Sequence, residues 1–260
     1  MIQTGFTPQA MQLLAYTPLQ YMLRAMALGS APAQCYVDKE NSPSVCLVLE
    51  GHSLFAGGNA QSPAAEEAMA FLARTLLSPK RRQELGAVKI AFPNNAWKEK
   101  LETALSGAAI HTYPRKVFRH PAPGRIPAAE EADIRLISAG MASLEHFDMI
   151  VEEVESTMGS LEAFLSLGFG AALVIKDRVC GFCTAEYVSG KECAIGIAVE
   201  EPFRRQGHAA RMTALFLREC AKRGLTPFWE CWKNNIPSVR TAERAGFELL
   251  AEYPVLLAEF

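Results

Sequence analysis

The run Arg119-His120-Pro121-Ala122-Pro123-Gly124-Arg125-Ile126-Pro127 places three prolines and one glycine in nine positions. Proline lacks a backbone N–H and holds φ fixed, so this stretch supports neither a helix nor a strand ladder and reads as a linker. It divides the chain into residues 1–119 and residues 130–260, with 120–129 as the connection. Each part must then bury a core of its own. In the first part, Thr17-Pro18 and Gly29 bracket a helix, and residues 34–38 and 45–50 alternate as strands around the turn-forming Asn41-Ser42-Pro43. Ser62-Pro63 opens another helix, with Glu66 and Glu67 in the turn where the helix dipole favours negative charge. A strand (88–92), a helix (97–105) and a strand (111–118) follow, and Gly57-Gly58 reads as a hairpin turn.

The second part begins with a helical region over 143–155 and a helix capped by Ser160 and stopped by Gly168. Strands are expected at 171–176, 179–187 and 193–199, then a helix to Arg223, a strand at 227–232, a helix from Asn235 to Gly246, and a closing strand at 249–257. Helices alternating with strands predict a mixed α/β sheet. The two parts share much of their element order, so the N-terminal part is expected to be an α/β domain and a degenerate copy of the C-terminal one.

Half of the residues are apolar and 21% are charged, the composition of a soluble globular protein. No apolar run approaches the roughly 18 residues of a membrane span, and residues 1–15 show no basic cluster ahead of an apolar core. Seven cysteines, an odd number, argue against a secreted disulfide framework. A cytoplasmic protein is expected. Residues 1–129 carry a net charge of +5 and residues 130–260 a net charge of −7, which together give −2. Neither half is basic enough for nucleic acid. The split fits two solvated surfaces that attract each other, or an acidic half that draws in a cationic amine.

The most informative stretch runs from Ala194 to Ala210. An apolar strand ends at Val199, the chain turns through Arg204-Arg205-Gln206-Gly207-His208, and a helix begins near Ala209. Such a junction points free backbone N–H groups and the positive end of a helix dipole at one spot, which suits a diphosphate. Gly207 supplies the turn and lets an anion approach the backbone. The stretch is neither a Walker loop nor a dinucleotide fingerprint. At His208 the backbone N–H, rather than the ring, is the expected contributor.

Arg204-x-x-Gly207-x-Ala209 resembles the pyrophosphate signature of the GNAT acetyltransferases, Q/R-x-x-G-x-G/A. Asn235, Ser238, Ala242 and Gly246-Phe247 are similar to that family's later helix segment. With the N-terminal half included, the chain resembles the two-part acetyltransferases related to the zwittermicin A self-resistance enzymes. The resemblance implies a GNAT fold, with a sheet splayed after the 194–199 strand. It implies an acyl-CoA-dependent N-acyltransferase that moves an acetyl group from acetyl-CoA to the amine of a small molecule. The cofactor contacts it implies are Ile197, Ala198 and Val199 for the pantetheine arm, and Arg204, Arg205, Gln206, Gly207, His208, Ala209 and Ala210 for the diphosphate. Asn235 and Ser238 would contact the arm or set the helix. No metal is implied.

Ala242 stands where the family usually has its proton-donating Tyr, and Cys193 where it usually has a carboxylate base. Glu192 and Glu186 are the catalytic candidates, with Glu230 as a further carboxylate and Tyr187 and Tyr253 as candidate acids. These absences keep a second function open, a non-catalytic acyl-CoA sensor or scaffold. Cys180-Gly181-Phe182-Cys183 has C-x-x-C spacing, but on a strand positions three apart face opposite sides. Glu152-Glu153-x-Glu155 reads as a solvated helix face or as a lure for an amine. The expected partner is the small-molecule amine acceptor, without nucleic acid or membrane, and a homodimer is left open.

Overall fold

The computed structural model describes residues 1–121 and 132–260, so most of the linker run lies outside the described residues. The chain forms two compact units, Met1–Arg115 with Glu252–Phe260, and Lys116–Ala251.

Unit 1 contains β1 (Ile2–Thr4), α1 (Pro8–Leu13), α2 (Gln20–Ala27), β2 (Gln34–Val37), β3 (Val45–Glu50), β4 (Ser53–Gly58) and α3 (Pro63–Phe71). A π-helical turn, Leu72–Leu76, leads to α4 (Pro79–Leu85), β5 (Ala87–Ala91), α5 (Asn95–Ala104) and the start of β6 (Ala109–Arg119). Helix starts follow their caps: Thr7, Ser62, Ser78 and Asn94 each accept an N–H from the first turn. Strands β1 to β5 pair in order, antiparallel except for the parallel β4–β5 pair. Beyond β5 comes the C-terminal stretch 252–260, with Leu256 opposite Ile90 and Ala258 opposite Val88. The sequence alone groups that stretch with residues 130–260. Its own apolar pattern says that it is a strand but carries no information about which sheet takes it. The unit's core gathers Leu47, Leu49 and Leu54 from the strands with Leu72, Trp97 and Leu101 from the helical layer.

Strand β4 replaces the hairpin turn expected at Gly57-Gly58; the turn lies instead at Gly51-His52. The glycines are there for close approach. A Cβ on Gly57 would strike the Leu13 carbonyl and come within 2.8 Å of Leu14 Cδ2, and one on Gly58 would strike the Ser44 carbonyl.

Unit 2 contains β7 (Ile134–Leu136), α6 (Asp148–Met158), α7 (Leu161–Leu167), β8 (Gly170–Ile175), β9 (Arg178–Ser189), β10 (Glu192–Val199), α8 (His208–Arg223), β11 (Thr226–Trp232), α9 (Ile236–Arg244) and the start of β12 (Glu248–Glu259). Its sheet runs β7-β8-β9-β10-β11, antiparallel until the parallel β10–β11 pair. The series β8-β9-β10-β11 therefore repeats the pairing of β2-β3-β4-β5, and in each series the parallel pair is three residues long. The repeated element order thus extends to strand pairing.

On β10, Cys193 and Ile195 face the core built with Met212, Phe216 and Cys220 of α8. Ala194, Gly196 and Ala198 take the opposite face, where α6 and α7 close a second cluster around Ile150, Val154 and Phe164. Cys180 and Cys183 both join the α8-side cluster, contrary to the alternation rule. A register shift between Leu173 and Val174, where β8 pairs with β9, interrupts the two-residue period there. All seven cysteines are buried and free. Among the described residues, no helix is long and apolar enough to cross a membrane.

Candidate functional site

Three pairs join β10 to β11, Glu192 with Thr226, Cys193 with Pro227 and Ala194 with Phe228, and there the pairing stops. Both strands continue, to Val199 and to Trp232, and β10 stays paired with β9 as far as Val199 opposite Gly181. From Ile195 onward, the edge of β10 that faces β11 therefore has no ladder partner. A wedge opens between two parallel strands, lined by backbone that an extended amide chain can pair with.

At the wide end of the wedge the chain takes a 3₁₀ turn, Glu201–Phe203, and then enters α8. Arg205 has φ +62° and Gly207 φ +85°, so two left-handed residues flank Gln206. This curls successive N–H groups inward, the geometry of an anion nest. Gly207 occupies the N-cap position without a side chain to satisfy the first turn. The N–H groups of His208, Ala209 and Ala210 consequently have no intrahelical acceptor. Nothing lies within 4 Å of where a Cβ on Gly207 would stand, so the cradle is open.

The loop's side chains brace it. Arg204 Nε donates to the Val199 carbonyl at 2.8 Å, and Gln206 Nε2 donates to the Pro202 carbonyl at 2.9 Å. Arg211 Nη1 donates to His208 Nδ1 at 3.0 Å and pairs with Asp133 at the start of β7. At the end of β10, Glu200 Oε1 accepts from Arg178 Nη2 at 3.0 Å and from His146 Nδ1 at 2.8 Å. Arg204, Gln206 and the Arg211–His208 contact brace the loop within five residues, whereas the Arg211–Asp133, Arg178–Glu200 and His146–Glu200 contacts join residues distant along the chain, which sequence reasoning does not reach.

Across the wedge, Asn235 caps α9 by accepting the Ser238 N–H at 3.2 Å, and Ser238 Oγ accepts the Trp229 indole N–H at 2.9 Å. Both residues stand at the β11–α9 turn. Ala242 is fully buried among Val239, Trp229 and Phe247, so it is a packing position with no room for the tyrosine its offset from Asn235 suggests.

The two candidate carboxylates part company. Glu192 stands where β10 and β11 are still joined, four residues and about 13 Å along the strand from Gly196. Glu186, on β9 opposite Ala194, carries its carboxylate over Gly196, two residues past the last β10–β11 pair. A Cβ on Gly196 would strike Glu186 Oε1, so the glycine leaves that space to the carboxylate. Glu230 lies on the same face of β11, two residues beyond Phe228 and past the divergence. Buried Thr184, which sequence reasoning passed over, sits directly opposite Gly196.

Cys183 and Cys193, on the strands beside the wedge, are held as thiols rather than as nucleophilic thiolates. Burial pushes the Cys183 thiol well above its ordinary pKa, and a contact with Cys220 together with burial does the same for Cys193. Among the described residues, no group of three or more His, Cys, Asp or Glu could hold a metal ion.

Comparison with known proteins gives this geometry its setting. The model of the family described as GNAT acetyltransferase matches residues 17–256. An uncharacterized N-acetyltransferase, YdfB, of Bacillus subtilis (strain 168) is 29% identical over 101 residues, a stretch that spans 39% of this chain and 39% of that relative. Among solved structures, a GCN5-related N-acetyltransferase-like protein from Streptococcus suis 89/1591 superposes with a TM-score of 0.70 at 22% identity, covering 98% of this chain and 100% of that one. A tandem GNAT protein from the clavulanic acid biosynthesis pathway superposes with a TM-score of 0.57 at 12% identity, covering 99% and 97%. At these identities the superpositions establish the fold alone: a mixed sheet flanked by helices, of the GNAT type. The family match extends through both halves, whereas the quoted motifs lie only in the second. The chain belongs to the GNAT acetyltransferase family, whose reaction is acyl transfer from acetyl-CoA to an amine.

Proposed function

We propose that residues 130–260 form a cytoplasmic N-acetyltransferase domain that takes acetyl-CoA and a small-molecule amine, with residues 1–119 as a GNAT-like companion domain. The observation that carries this reading is the wedge: β10 and β11 part after Ala194 and Phe228, and the strand at the wedge leads into an uncapped helix start. The diphosphate of acetyl-CoA would rest on the N–H groups of residues 205–210, with Arg204 fixing the loop to Val199. The pantetheine arm would extend along Ile197, Ala198 and Val199, whose strand edge is open. Asn235 and Ser238 would border the arm from the β11–α9 turn.

Glu186 is our choice for the proton acceptor, because its carboxylate lies over Gly196, past the point where β10 and β11 part, whereas Glu192 stands where they are joined. The amine nitrogen must be neutral to attack the thioester carbonyl, so its ammonium form first gives a proton to a carboxylate. The nitrogen–carbon bond then forms, the carbon–sulfur bond breaks, and the remaining proton leaves with the CoA thiolate as thiol.

Acetyl-CoA at 100 times its Kd should stabilise the fold by about 2.7 kcal/mol, a rise in Tm of roughly 5–10 °C for a chain of this size. Thiol release from acetyl-CoA across a panel of primary amines then reads turnover. A melting curve unmoved by millimolar acetyl-CoA would remove the basis of the proposal, and a shift without thiol release would favour the sensor reading.

A further inference from the structure

Thr184 stands on β9 between two glycines, Gly170 of β8 on one side and Gly196 of β10 on the other. It is completely buried, and its Oγ1 has no hydrogen-bond partner among the described residues. A buried hydroxyl without a partner is costly, and a valine of the same shape would avoid the cost. The hydroxyl points towards Gly196: Oγ1 lies 3.0 Å from where a Cβ on that residue would be, and the Glu186 carboxylate crowds the same point. One oxygen carries charge or a transferable proton; the other is uncommitted.

We propose that Thr184 is the positioning residue of Glu186, a role that rests on the acetyltransferase reading above. A turn of the Glu186 carboxylate closes a hydrogen bond from Thr184 Oγ1–H to Oε1, which holds the charged form at the mouth of the wedge. When the acceptor ammonium gives up its proton, Glu186 becomes a carboxylic acid. The hydroxyl then reverses roles and accepts from the new O–H, since a hydroxyl both donates and accepts. After the amide has formed and CoA has left as its thiol, Glu186 releases the proton to solvent. Gly196 is part of the arrangement because any side chain there would separate the two groups.

The test compares Thr184→Val, Thr184→Ser and Glu186→Gln in the full chain, using benzylamine and glycinamide as amine probes. The expected result is a fall in kcat of about tenfold or more for Thr184→Val, since a misplaced base loses most of its contribution. The KM for acetyl-CoA should stay unchanged and Tm equal or higher, with Thr184→Ser restoring most of the rate. A merely structural threonine would lower Tm along with kcat, or leave kcat alone; either outcome overturns the proposal. If Glu186→Gln keeps full turnover, Glu186 itself has been misassigned, a failure distinct from that of Thr184. A second measurement needs no acceptor. In a carboxyl ¹³C titration, Thr184→Val should raise the Glu186 pKa, because hydrogen bonding to the charged form lowers it. The other acids on the surrounding elements, Glu230, Glu192 and Glu153, are the same in both proteins. Superimposable titration curves would overturn the proposal.

Discussion

Gly196→Ala separates folding from function at the wedge. Gly196 sits in the middle of β10 and its φ lies outside the left-handed region, so the backbone accepts alanine without strain. Glycine inside a strand costs roughly 0.5–1 kcal/mol relative to alanine, so the substitution alone should leave the fold as stable or slightly more stable. The new methyl would stand 2.7 Å from Glu186 Cδ and 3.0 Å from Thr184 Oγ1, and would collide with Glu186 Oε1. The colliding group is the far end of a flexible side chain, which yields more readily than backbone. The carboxylate must therefore move by about an ångström or more, and displacements of that size in a reacting group cost about 100-fold in rate. The expected outcome is a kcat about 10²-fold lower, with Tm within a few degrees and the KM for acetyl-CoA little changed, because the cradle lies elsewhere. Thiol release with an amine probe and a melting curve measure both halves. A folded Gly196→Ala protein with wild-type kcat would show that the position of the carboxylate over Gly196 has no bearing on the reaction.

Gly207→Asp places a carboxylate in the open cradle at a left-handed position, where a non-glycine residue costs about 1–2 kcal/mol. The unliganded protein should still fold, and the acetyl-CoA-induced rise in Tm should vanish; an undiminished rise would locate the diphosphate elsewhere. Ala242→Tyr should destabilise by at least about 1–3 kcal/mol through overpacking, read by chemical denaturation, because that position is closed on all sides. Full stability would mean that the α9 core is looser than its packing indicates. Tyr16 donates to the Ala56 carbonyl at 2.8 Å, and burial holds its phenol well above the ordinary value of 10.0. The unfolded chain loses that proton first, so this contribution to stability is complete below about pH 10 and is lost above it. Tyr16→Phe should flatten the alkaline limb of stability against pH, and an unaltered limb would assign it to other groups.

The legible parts of this fold were those that chemistry fixes locally. Ser62, Ser160 and Asn235 mark helix starts because a cap is a contact within one turn, and each appears where expected. The strand–turn–helix junction at Gly207 was legible because its residues are neighbours in sequence. Strand β4 was not: its two glycines depress the strand signal, and the reason for them is the backbone of Leu13 and Ser44, far away in sequence. The same applies to Thr184 and Gly196. Each is unremarkable alone, and only the register of β9 against β10 makes them partners. The choice between Glu186 and Glu192 was open for a related reason, since it depends on where β10 and β11 separate. Ala242 shows the converse error. An offset counted along a helix gave a position near the site, and packing made it part of the core.

The repeated pairing of the two units allows their strand–helix junctions to be compared directly. In unit 2 the helix after β10 starts at Gly207 with no side-chain cap, and its first turn carries no acid. In unit 1 the helix after β4 starts at Ser62, whose Oγ accepts the Ala64 N–H at 3.3 Å. Pro63 follows and has no N–H to offer, and Glu66 places a negative charge in the first turn. Every change removes something an anion needs: a free donor, a second donor, and the positive field of the helix end. The close-packed glycines of β4 act in the same sense, since Gly57 and Gly58 are filled from outside by Leu13, Leu14 and Ser44. Two junctions of the same topology thus differ in chemistry, and the proposed function places acetyl-CoA in the second unit for that reason: the fold supplies the wedge, and the residues at the helix start supply the donors that a diphosphate needs.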